Sequence, residues 1–396
     1  MQEHISIDWM FLLRNVPRAS NNLQASWNDL YHLVILPFYN EPYEVMRGSL
    51  ESIAKSNYPK EKMFVALARE ERAGESAKIT AEKLEREFGK IFFKFLVTAH
   101  PANIPGEFPG KGSNESFAGQ EAKTRLIDAL HIPYERVIVS SLDSDTKVYP
   151  DYFACVSYHY LTVPDPLRAS YQPIPVYNNN IWSSPALSRV VATSGTFWQM
   201  MQQARPERLT TFSSHSMPFY AIVEMDFWNK KNVSEDSRIF WKALLFYDGA
   251  YRAVPLYYSV SLDANVAPTL LQTAQNVYLQ QRRWGWGVEN IPYAFFGFWK
   301  NKKIRFGTKL YYAFNQLEGF WSWATNSLMI FLLGWMPVLL GGAAFNTSVL
   351  SYNLPRITRW LMTAAMFGLI TSAIYSTRLL PLRPAGHPFR KYVWMV

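Results

Sequence analysis

Cysteine is nearly absent from this sequence, because Cys155 is the only one among 396 residues. A single thiol cannot form an intrachain disulfide, which excludes a disulfide-stabilised scaffold and fits a reducing compartment. The fold must therefore be stabilised by the burial of apolar side chains. With 49% hydrophobic residues, a chain of this length can build one large core or two smaller ones.

Two further features are missing. The stretch "DWMFLL" near the start is too short for the apolar region of a secretory signal, and Asp8 interrupts its approach. Internal repeats and low-complexity tracts are also absent, which excludes a repeat architecture. Residues 1–30 give weak signals and are interpreted as an irregular or helical lead-in segment.

Acidic residues are in deficit, since 31 Asp and Glu against 40 Lys and Arg leave a formal charge of +9. This excess aids solubility, and it also favours contact with anionic lipid or with a phosphate-bearing substrate. Aromatic residues make up 16% of the chain, a share that suits sugar stacking or a membrane interface. No basic stripe lies on a recognisable nucleic-acid module, so no nucleic-acid partner is expected.

Charged side chains are missing altogether between Glu318 and Arg356. Residues 327–345 and 360–377 are apolar and close to the ~20 residues that cross a bilayer. They predict two transmembrane helices within residues 319–378, with a pair of buried core helices as the alternative.

Lysines and arginines flank this region on its outer sides, before residue 310 and after residue 377. Their distribution predicts a multi-pass protein of the plasma or inner membrane, with everything before residue 318 and a basic tail at residues 379–396 facing the cytoplasm. Residues 291–318 alternate aromatics with lysines. They are typical of amphipathic helices in the membrane interface, with a solvated basic surface as the alternative.

The first 150 residues alternate short apolar runs with amphipathic segments. Apolar runs such as "YHLVILPFYN" and "KMFVALA" predict strands, and "AGESAKITAEKLEREFG" predicts one of the helices between them. This order predicts an α/β fold with a mostly parallel sheet and helices on both faces, whose ligand lies at the carboxyl ends of the strands. Residues 150–290 give mixed signals, and "PIPVYNNNIWSSPALSR" is interpreted as a loop.

Two aspartates, Asp143 and Asp145, follow directly on the fourth apolar strand in "ERVIVSSLDSD". In an extended segment, residues two apart point to the same side. Two neighbouring carboxylates repel each other unless a cation lies between them, and Mg²⁺ or Mn²⁺ prefers such hard oxygen ligands together with substrate phosphates. Asp-x-Asp is common in ordinary loops, but its position at the ligand edge predicts a divalent metal site.

Four short motifs occur in order along the chain: "VILPFYNEP", the Asp-Ser-Asp, "SED" at residues 234–236, and "QQRRW" at residues 280–284. This series resembles family 2 glycosyltransferases of the membrane-bound polysaccharide synthase type, which includes cellulose, chitin and hyaluronan synthases. The resemblance implies a nucleotide-sugar-binding sheet of the GT-A type and a glycosyltransferase catalytic domain at residues 31–290.

The resemblance also implies a donor site at the carboxyl edge of the sheet. Tyr39 would stack on the nucleotide base, and Glu41 would contact the nucleotide. The second strand lacks the aspartate that usually reads the base, so Glu70 or Glu71 would replace it, which leaves the nucleotide identity open. The remaining donor contacts implied are Pro37, Lys111 facing the diphosphate, and Asp143.

The later motifs supply the groups for transfer. Asp236 matches the aspartate that acts as general base, and Ser234 is also a helix N-cap candidate. Gln280, Arg283 and Trp284 match Gln-x-x-Arg-Trp, with Arg283 offsetting charge on the departing diphosphate and Trp284 stacking on an acceptor sugar. An interfacial belt of arginine and tryptophan is the alternative for this stretch. His215 is favoured as a structural histidine over a third metal ligand or an acceptor contact.

Together these features predict an inverting transfer from a nucleotide sugar, such as a UDP-sugar, to a glycan or a lipid-linked acceptor. Export or regulatory subunits are expected if a polymer is secreted, because two spans are too few for a channel. Transfer of one sugar to a lipid carrier, a non-catalytic membrane scaffold and a metal-dependent nucleotidyltransferase remain as alternatives.

Overall fold

The computed structural model describes residues 2–17, 23–378, 380–384 and 386. The chain divides into two compact units, residues 1–309 and residues 310–396. The first unit contains a sheet of eight strands: β1 Tyr31–Phe38, β2 Met63–Glu70, β3 Lys94–His100, β4 Val137–Ser141, β5 Lys147–Val148, β6 Ala169–Tyr177, β7 Ser216–Pro218 and β8 Arg252–Leu262.

Helices connect and flank these strands. In the first unit they are α1 Gln2–Ser6, α2 Trp9–Arg14, α3 Tyr43–Ala54, α4 Gly74–Phe88, α5 Lys111–Ala122, α6 Tyr152–Thr162, α7 Ala186–Gln203, α8 Phe219–Glu224, α9 Glu235–Phe246, α10 Leu270–Gly285 and α11 Asn290–Lys300. Three more follow: α12 Phe306–Leu340, α13 Gly342–Asn346 and α14 Val349–Arg378.

The strand order is β3-β2-β1-β4-β7-β6-β8-β5. Strands β1 to β4 pair in parallel, and β6 pairs in parallel with β8. The short β7 runs antiparallel to both β4 and β6, so two reversals leave β6 and β8 aligned with the first four strands. The predicted mostly parallel α/β sheet is confirmed, with β5 as an antiparallel edge.

The core follows from the apolar runs at the centre of the sheet. Successive residues of β1, from Leu33 to Leu36, are all fully buried. Since neighbouring residues of a strand point to opposite faces, both faces of the sheet are covered at its centre. The lead-in also contributes, because Trp9 and Leu13 of α2 are buried against this core.

The predicted loop over "PIPVYNNNIWSSPALSR" is corrected by the structure. Its first part belongs to β6, and its last residues begin α7. The prolines concealed the strand, because proline lacks the N–H that a central strand donates. Pro173 is tolerated since it lies where the pairing of β6 with β8 shifts register, between Gln172 and Ile174.

The prediction of two transmembrane helices is also corrected. Long helices do form there, but among the described residues none combines the length and apolarity that a bilayer crossing requires. The first apolar segment is interrupted where α12 ends at Leu340 and the chain turns at Gly342, whose φ is +66°. Arg356 and Arg359 lie within α14. The predicted basic tail at residues 379–396 lies largely outside the described residues.

Candidate functional site

The carboxyl ends of the parallel strands meet at one edge of the sheet. Because β1, β2, β4, β6 and β8 run in the same direction, this edge carries the residues that end or follow each of them. They are Tyr39, Glu70, Asp143, Tyr177 and Asp263. Polar side chains at the ends of five strands therefore lie along one edge of the sheet, where the ligand of a parallel sheet is expected.

Asp143 has two close side-chain partners at this edge. Its Oδ1 lies 2.5 Å from Nζ of Lys111, and its Oδ2 accepts a hydrogen bond from the hydroxyl of Ser213. Burial alone would raise the pKa of Asp143, but the charge and hydrogen bond of Lys111, together with the hydrogen bond from Ser213 and the charge of Arg283, outweigh burial and lower it. Asp143 is therefore ionised at neutral pH.

Asp145 has different partners, because the chain makes a turn after β4 instead of continuing in the expected extended form. The amide of Thr146 donates to the carbonyl of Asp143, which closes this turn. Oδ2 of Asp145 accepts a hydrogen bond from the amide of Asp263, 3.0 Å away. Burial, and then the neighbouring charge of Asp143, raise the pKa of Asp145 to about 7.

Lys111, the first residue of α5, connects three acidic side chains. Besides Asp143, its Nζ lies 3.5 Å from an oxygen of Glu115 and 3.5 Å from an oxygen of Glu235. Burial opposes the charged form, but these carboxylates raise the pKa of Lys111 well above its usual value. The close approach of α5 and α9 depends on Gly112, where a Cβ atom would lie 2.9 Å from Cβ of Glu235.

Asp236 lies in the first turn of α9, next to this cluster. Its Oδ1 accepts a hydrogen bond from the amide of Ser237, and Thr211 donates to its backbone carbonyl. Burial raises the pKa of Asp236; Lys111 opposes this shift and the charge of Asp143 adds to it. A raised pKa makes a carboxylate a better proton acceptor. Ser234 is at the N-cap position, but its hydroxyl donates to Glu289 and makes no capping bond.

The predicted base-binding residues form a second group, at the ends of β1 and β2. The guanidinium of Arg72 lies 4.3 Å from the ring centre of Tyr39 and forms an ion pair with Glu70. Glu41 accepts a hydrogen bond from the amide of Tyr39, so it shapes the turn after β1. Pro37 is a buried residue of β1 and pairs with Ala68 of β2, so its ring packs inside the protein.

The Gln-x-x-Arg-Trp residues lie on α10. Gln280 and Trp284 line a pocket between α10, α7 and the segment after β8, together with Tyr177 and Asp263. The rings of Tyr177 and Trp284 have centres 6.3 Å apart. Arg283 is exposed, and its charge is among those that favour the ionised forms of Asp143 and Asp236.

His215 is buried beside this cluster. Its Nδ1 lies 2.9 Å from the carbonyl oxygen of Phe212, while its Nε2 has no hydrogen-bond partner among the residues that the structure describes. Burial lowers the pKa of His215 to about 4, so the ring is neutral at physiological pH. The structural role of His215 stays a prediction.

The donor set suits a divalent cation only in part. Within the described residues, no three or more His, Cys, Asp and Glu side chains are grouped to hold a metal ion. Asp143 and Asp145 do offer hard oxygen atoms, and the raised pKa of Asp145 reflects burial and then repulsion that a cation would relieve. Two carboxylates fit Mg²⁺ or Mn²⁺ when substrate phosphates and water complete the shell.

Several residues of this site were missed in the sequence. Ser213 and Tyr177 lie in stretches with mixed signals, and Asp263 follows a strand that was not predicted. Glu235 was inside the "SED" motif but was not assigned a role. Glu115 had one usable signal, because a residue four positions after Lys111 in a helix faces the same side.

Comparisons with known proteins give matches among solved structures only. No protein-family model matches the chain. No curated protein matches it either. A mannosyltransferase, PcManGT from Pyrobaculum calidifontis in complex with GDP-Man and Mn²⁺, shares 17% identity, with 85% of this chain and 86% of that chain covered and a TM-score of 0.47.

Two other solved structures have lower scores. Residues 1–349 of TarS from S. aureus share 14% identity, with 74% of this chain and 72% of that chain covered and a TM-score of 0.45. GalNAc-T7 with UDP, GalNAc and Mn²⁺ shares 13% identity, with 63% of this chain and 48% of that chain covered and a TM-score of 0.38.

Proposed function

We propose that this protein is an inverting glycosyltransferase of the GT-A type that moves a sugar from a nucleotide sugar to a hydroxyl acceptor. One observation carries the proposal: Asp143, Lys111 and Asp236 come from distant parts of the chain and meet at the carboxyl edge of a parallel sheet. The group combines a cation for the diphosphate, carboxylates for a metal and a carboxylate for proton transfer.

The donor would lie across this edge. The ring of Tyr39 offers a stacking surface for the base, and Glu70 with Arg72 offers charged hydrogen-bonding groups for its rim. Lys111 would face the diphosphate. Asp143 and Asp145 would hold Mg²⁺ or Mn²⁺, which would supply positive charge to the diphosphate when bound.

The transfer would be a single displacement. Asp236 takes the proton of the acceptor hydroxyl, the oxygen bonds to the anomeric carbon, and the bond from that carbon to the diphosphate breaks with its electron pair. A single displacement inverts the anomeric centre. Arg283 would stabilise the leaving diphosphate with its positive charge, as cations aimed at developing charge do.

The acceptor would enter the pocket between α7 and α10. Its walls combine an aromatic face from Trp284 with the carboxylate of Asp263 and the amide of Gln280, which suits a ring with hydroxyl groups.

We also place the protein at the cytoplasmic side of a membrane. The aromatic side chains of Phe296, Trp299 and Phe306 are 56%, 70% and 78% exposed. Basic residues such as Lys302 and Arg305 accompany them and are exposed too. Exposed aromatic and basic side chains together suit an anionic lipid surface.

The test of the proposed activity is nucleoside diphosphate release. Membranes containing the full chain are incubated with a panel of UDP- and GDP-sugars and Mg²⁺ or Mn²⁺, with extracted membrane lipid as acceptor source. We expect at least one donor to give acceptor-dependent release, and Asp236→Asn to reduce it by about 10²- to 10⁴-fold, the range for loss of a general base.

Asp226→Asn is the matched control, because Asp226 lies in a turn away from the site and should leave the rate unchanged. Equal release by Asp236→Asn and the parent, on every donor that works, rules out Asp236 as the base. No release from any donor rules out the activity. Product size under excess donor separates single-sugar transfer from polymer synthesis.

A further inference from the structure

The ammonium group of Lys111 is shared unequally among three carboxylates. It lies 2.5 Å from Asp143 but 3.5 Å from both Glu115 and Glu235. At 2.5 Å the contact with Asp143 is a short, charge-assisted hydrogen bond, whereas the other two are longer ion pairs. In this state Asp143 is the main partner of Lys111.

Glu115 has one oxygen, Oε1, near this ammonium and a second oxygen without a donor among the described residues. Its side chain is only 1% exposed, and one oxygen accepts a hydrogen bond from the hydroxyl of Ser141. The other oxygen, Oε2, is buried and has no hydrogen-bond partner among the described residues. A buried carboxylate oxygen without a donor is unfavourable, so Glu115 gains if Lys111 approaches it more closely.

Asp143 cannot bind a lysine ammonium and a divalent cation equally closely at the same time. Both would lie against the same carboxylate, and two positive charges at that distance repel each other in a partly buried site. Lys111 must therefore move away from Asp143 if a metal ion binds there. Residues 111 and 115 are four apart on α5 and face the same side, so Glu115 lies within reach of the displaced ammonium.

We propose that Glu115 is a positioning residue, which receives the ammonium of Lys111 when a divalent cation binds at Asp143 and Asp145. The proposal rests on the metal site of the proposed function. Glu235, on α9, is the second carboxylate that holds Lys111 after this exchange, and Gly112 allows the two helices to approach closely enough for it. Lys111 and the metal ion then stand side by side instead of competing for one oxygen.

The test measures Mn²⁺ binding to the full chain without nucleotide, by the electron paramagnetic resonance signal of free Mn²⁺. Glu115→Gln keeps the shape of the side chain but removes the charge that attracts Lys111, and it should weaken Mn²⁺ binding about tenfold. Lys111→Met removes the competing cation and should tighten Mn²⁺ binding. In the Lys111→Met background, Glu115→Gln should have no effect, because the role of Glu115 runs through Lys111.

Glu121→Gln is the matched control on the same helix, since Glu121 is partly exposed and pairs only with Arg125 among the described contacts. Its Mn²⁺ affinity should equal that of the parent. If Glu115→Gln does not fold, Glu115→Asp keeps the charge, shortens the reach and should also weaken binding. Unfolding temperatures of all variants are measured alongside.

The outcomes separate the two proposals. A parent that binds no Mn²⁺ overturns the metal site and the exchange together. A parent that binds Mn²⁺ while Glu115→Gln behaves like Glu121→Gln overturns only the role of Glu115. Equal weakening by Glu115→Gln with and without Lys111 overturns it as well, because the effect then does not pass through the lysine. The role of Glu115 is also overturned if Lys111→Met binds Mn²⁺ no more tightly than the parent does.

Discussion

At the scale of single residues, the candidate site depends on the balance between the charge of one lysine and the charges of several acidic side chains. Lys111 faces three carboxylates, and Asp236 adds a fourth acid close by. Burial raises the pKa of Glu235 to about 8, with Asp236 and Glu115 adding to the shift and Lys111 opposing it. Asp143 remains ionised because Lys111 is in direct contact with it. The site thus combines an acid whose pKa is lowered with neighbouring acids whose pKa is raised.

The pocket beside α10 gives a prediction about acceptor binding. Trp284→Ala removes the aromatic wall, and loss of about 1 kcal/mol of stacking should raise the acceptor KM roughly five- to tenfold. Release of nucleoside diphosphate without acceptor should not change. Trp286→Ala, two residues further along the chain and 51% exposed, is the control. Steady-state kinetics with varied acceptor measure both, and an equal effect of the two variants would contradict the assignment of the pocket.

A buried histidine gives a prediction about acid stability. His32 is fully buried in β1, its Nε2 lies 2.8 Å from Ser157 Oγ, and burial lowers its pKa from 6.5 to about 3. Below pH 6.5 the unfolded chain binds more protons at this group than the folded chain does. The free energy of unfolding should therefore fall with decreasing pH, by up to ~1.4 kcal/mol per pH unit.

The measurement is denaturant unfolding at pH values from 7 to 4.5. His32→Gln should make the pH dependence shallower than in the parent, even if it lowers stability overall. His131→Asn is the control, because His131 is exposed, and it should leave the slope unchanged. Identical slopes for His32→Gln and the parent would show that His32 is not the group responsible.

At the scale of elements, the site depends on the packing of two helices that start beside each other. The first residues of α5 and α9 meet at Gly112, and a Cβ atom there would lie 2.8 Å from the carbonyl oxygen of Asn229. The backbone of Asn229 cannot move aside as the end of a flexible side chain could. The short distance between these helix starts is therefore a requirement of the site and not only of the fold.

Gly112→Ala should destabilise the folded protein by about 1–3 kcal/mol, the usual cost of overpacking. It should also reduce turnover, because Lys111 and Glu235 would move apart. Gly307→Ala is the control: nothing lies within 4 Å of its added Cβ, and alanine favours a helix over glycine by about 1 kcal/mol. Chemical denaturation and diphosphate release measure the two effects. Unchanged stability of Gly112→Ala would contradict the close packing.

At the scale of the whole molecule, the exposed aromatic and basic side chains near Trp299 predict contact with a lipid surface. The only cysteine, Cys155, is buried, so Cys155→Ala gives a background for single labelling sites. A polarity-sensitive fluorophore at Trp299→Cys should shift to the blue with phosphatidylglycerol vesicles and be quenched by spin-labelled lipids. The same probe at Ile79→Cys, an exposed position on α4, should stay in water. Equal spectra for both probes would contradict contact between the surface near Trp299 and lipid.

The sequence determined the elements that follow from local pattern and burial. Continuous apolar runs such as β1 are buried on both faces, and this already indicated a parallel sheet with its ligand at the carboxyl ends. Asp143 was singled out because it follows a recognisable strand, and Asp236 because "SED" matches a motif of the resembled family. The long C-terminal helices were predicted as helices, but their role as spans was not supported.

Only the tertiary structure decided which groups meet. The contact of Lys111 with Glu235 joins two helix starts that are far apart in sequence, and no local pattern encodes that distance. The strand β6 was hidden because its prolines are unfavourable in a strand in general, and only the register shift in its pairing with β8 makes Pro173 acceptable. Periodicity reports which face of an element is buried, whereas charge partners depend on how elements pack, and packing is a property of the whole chain.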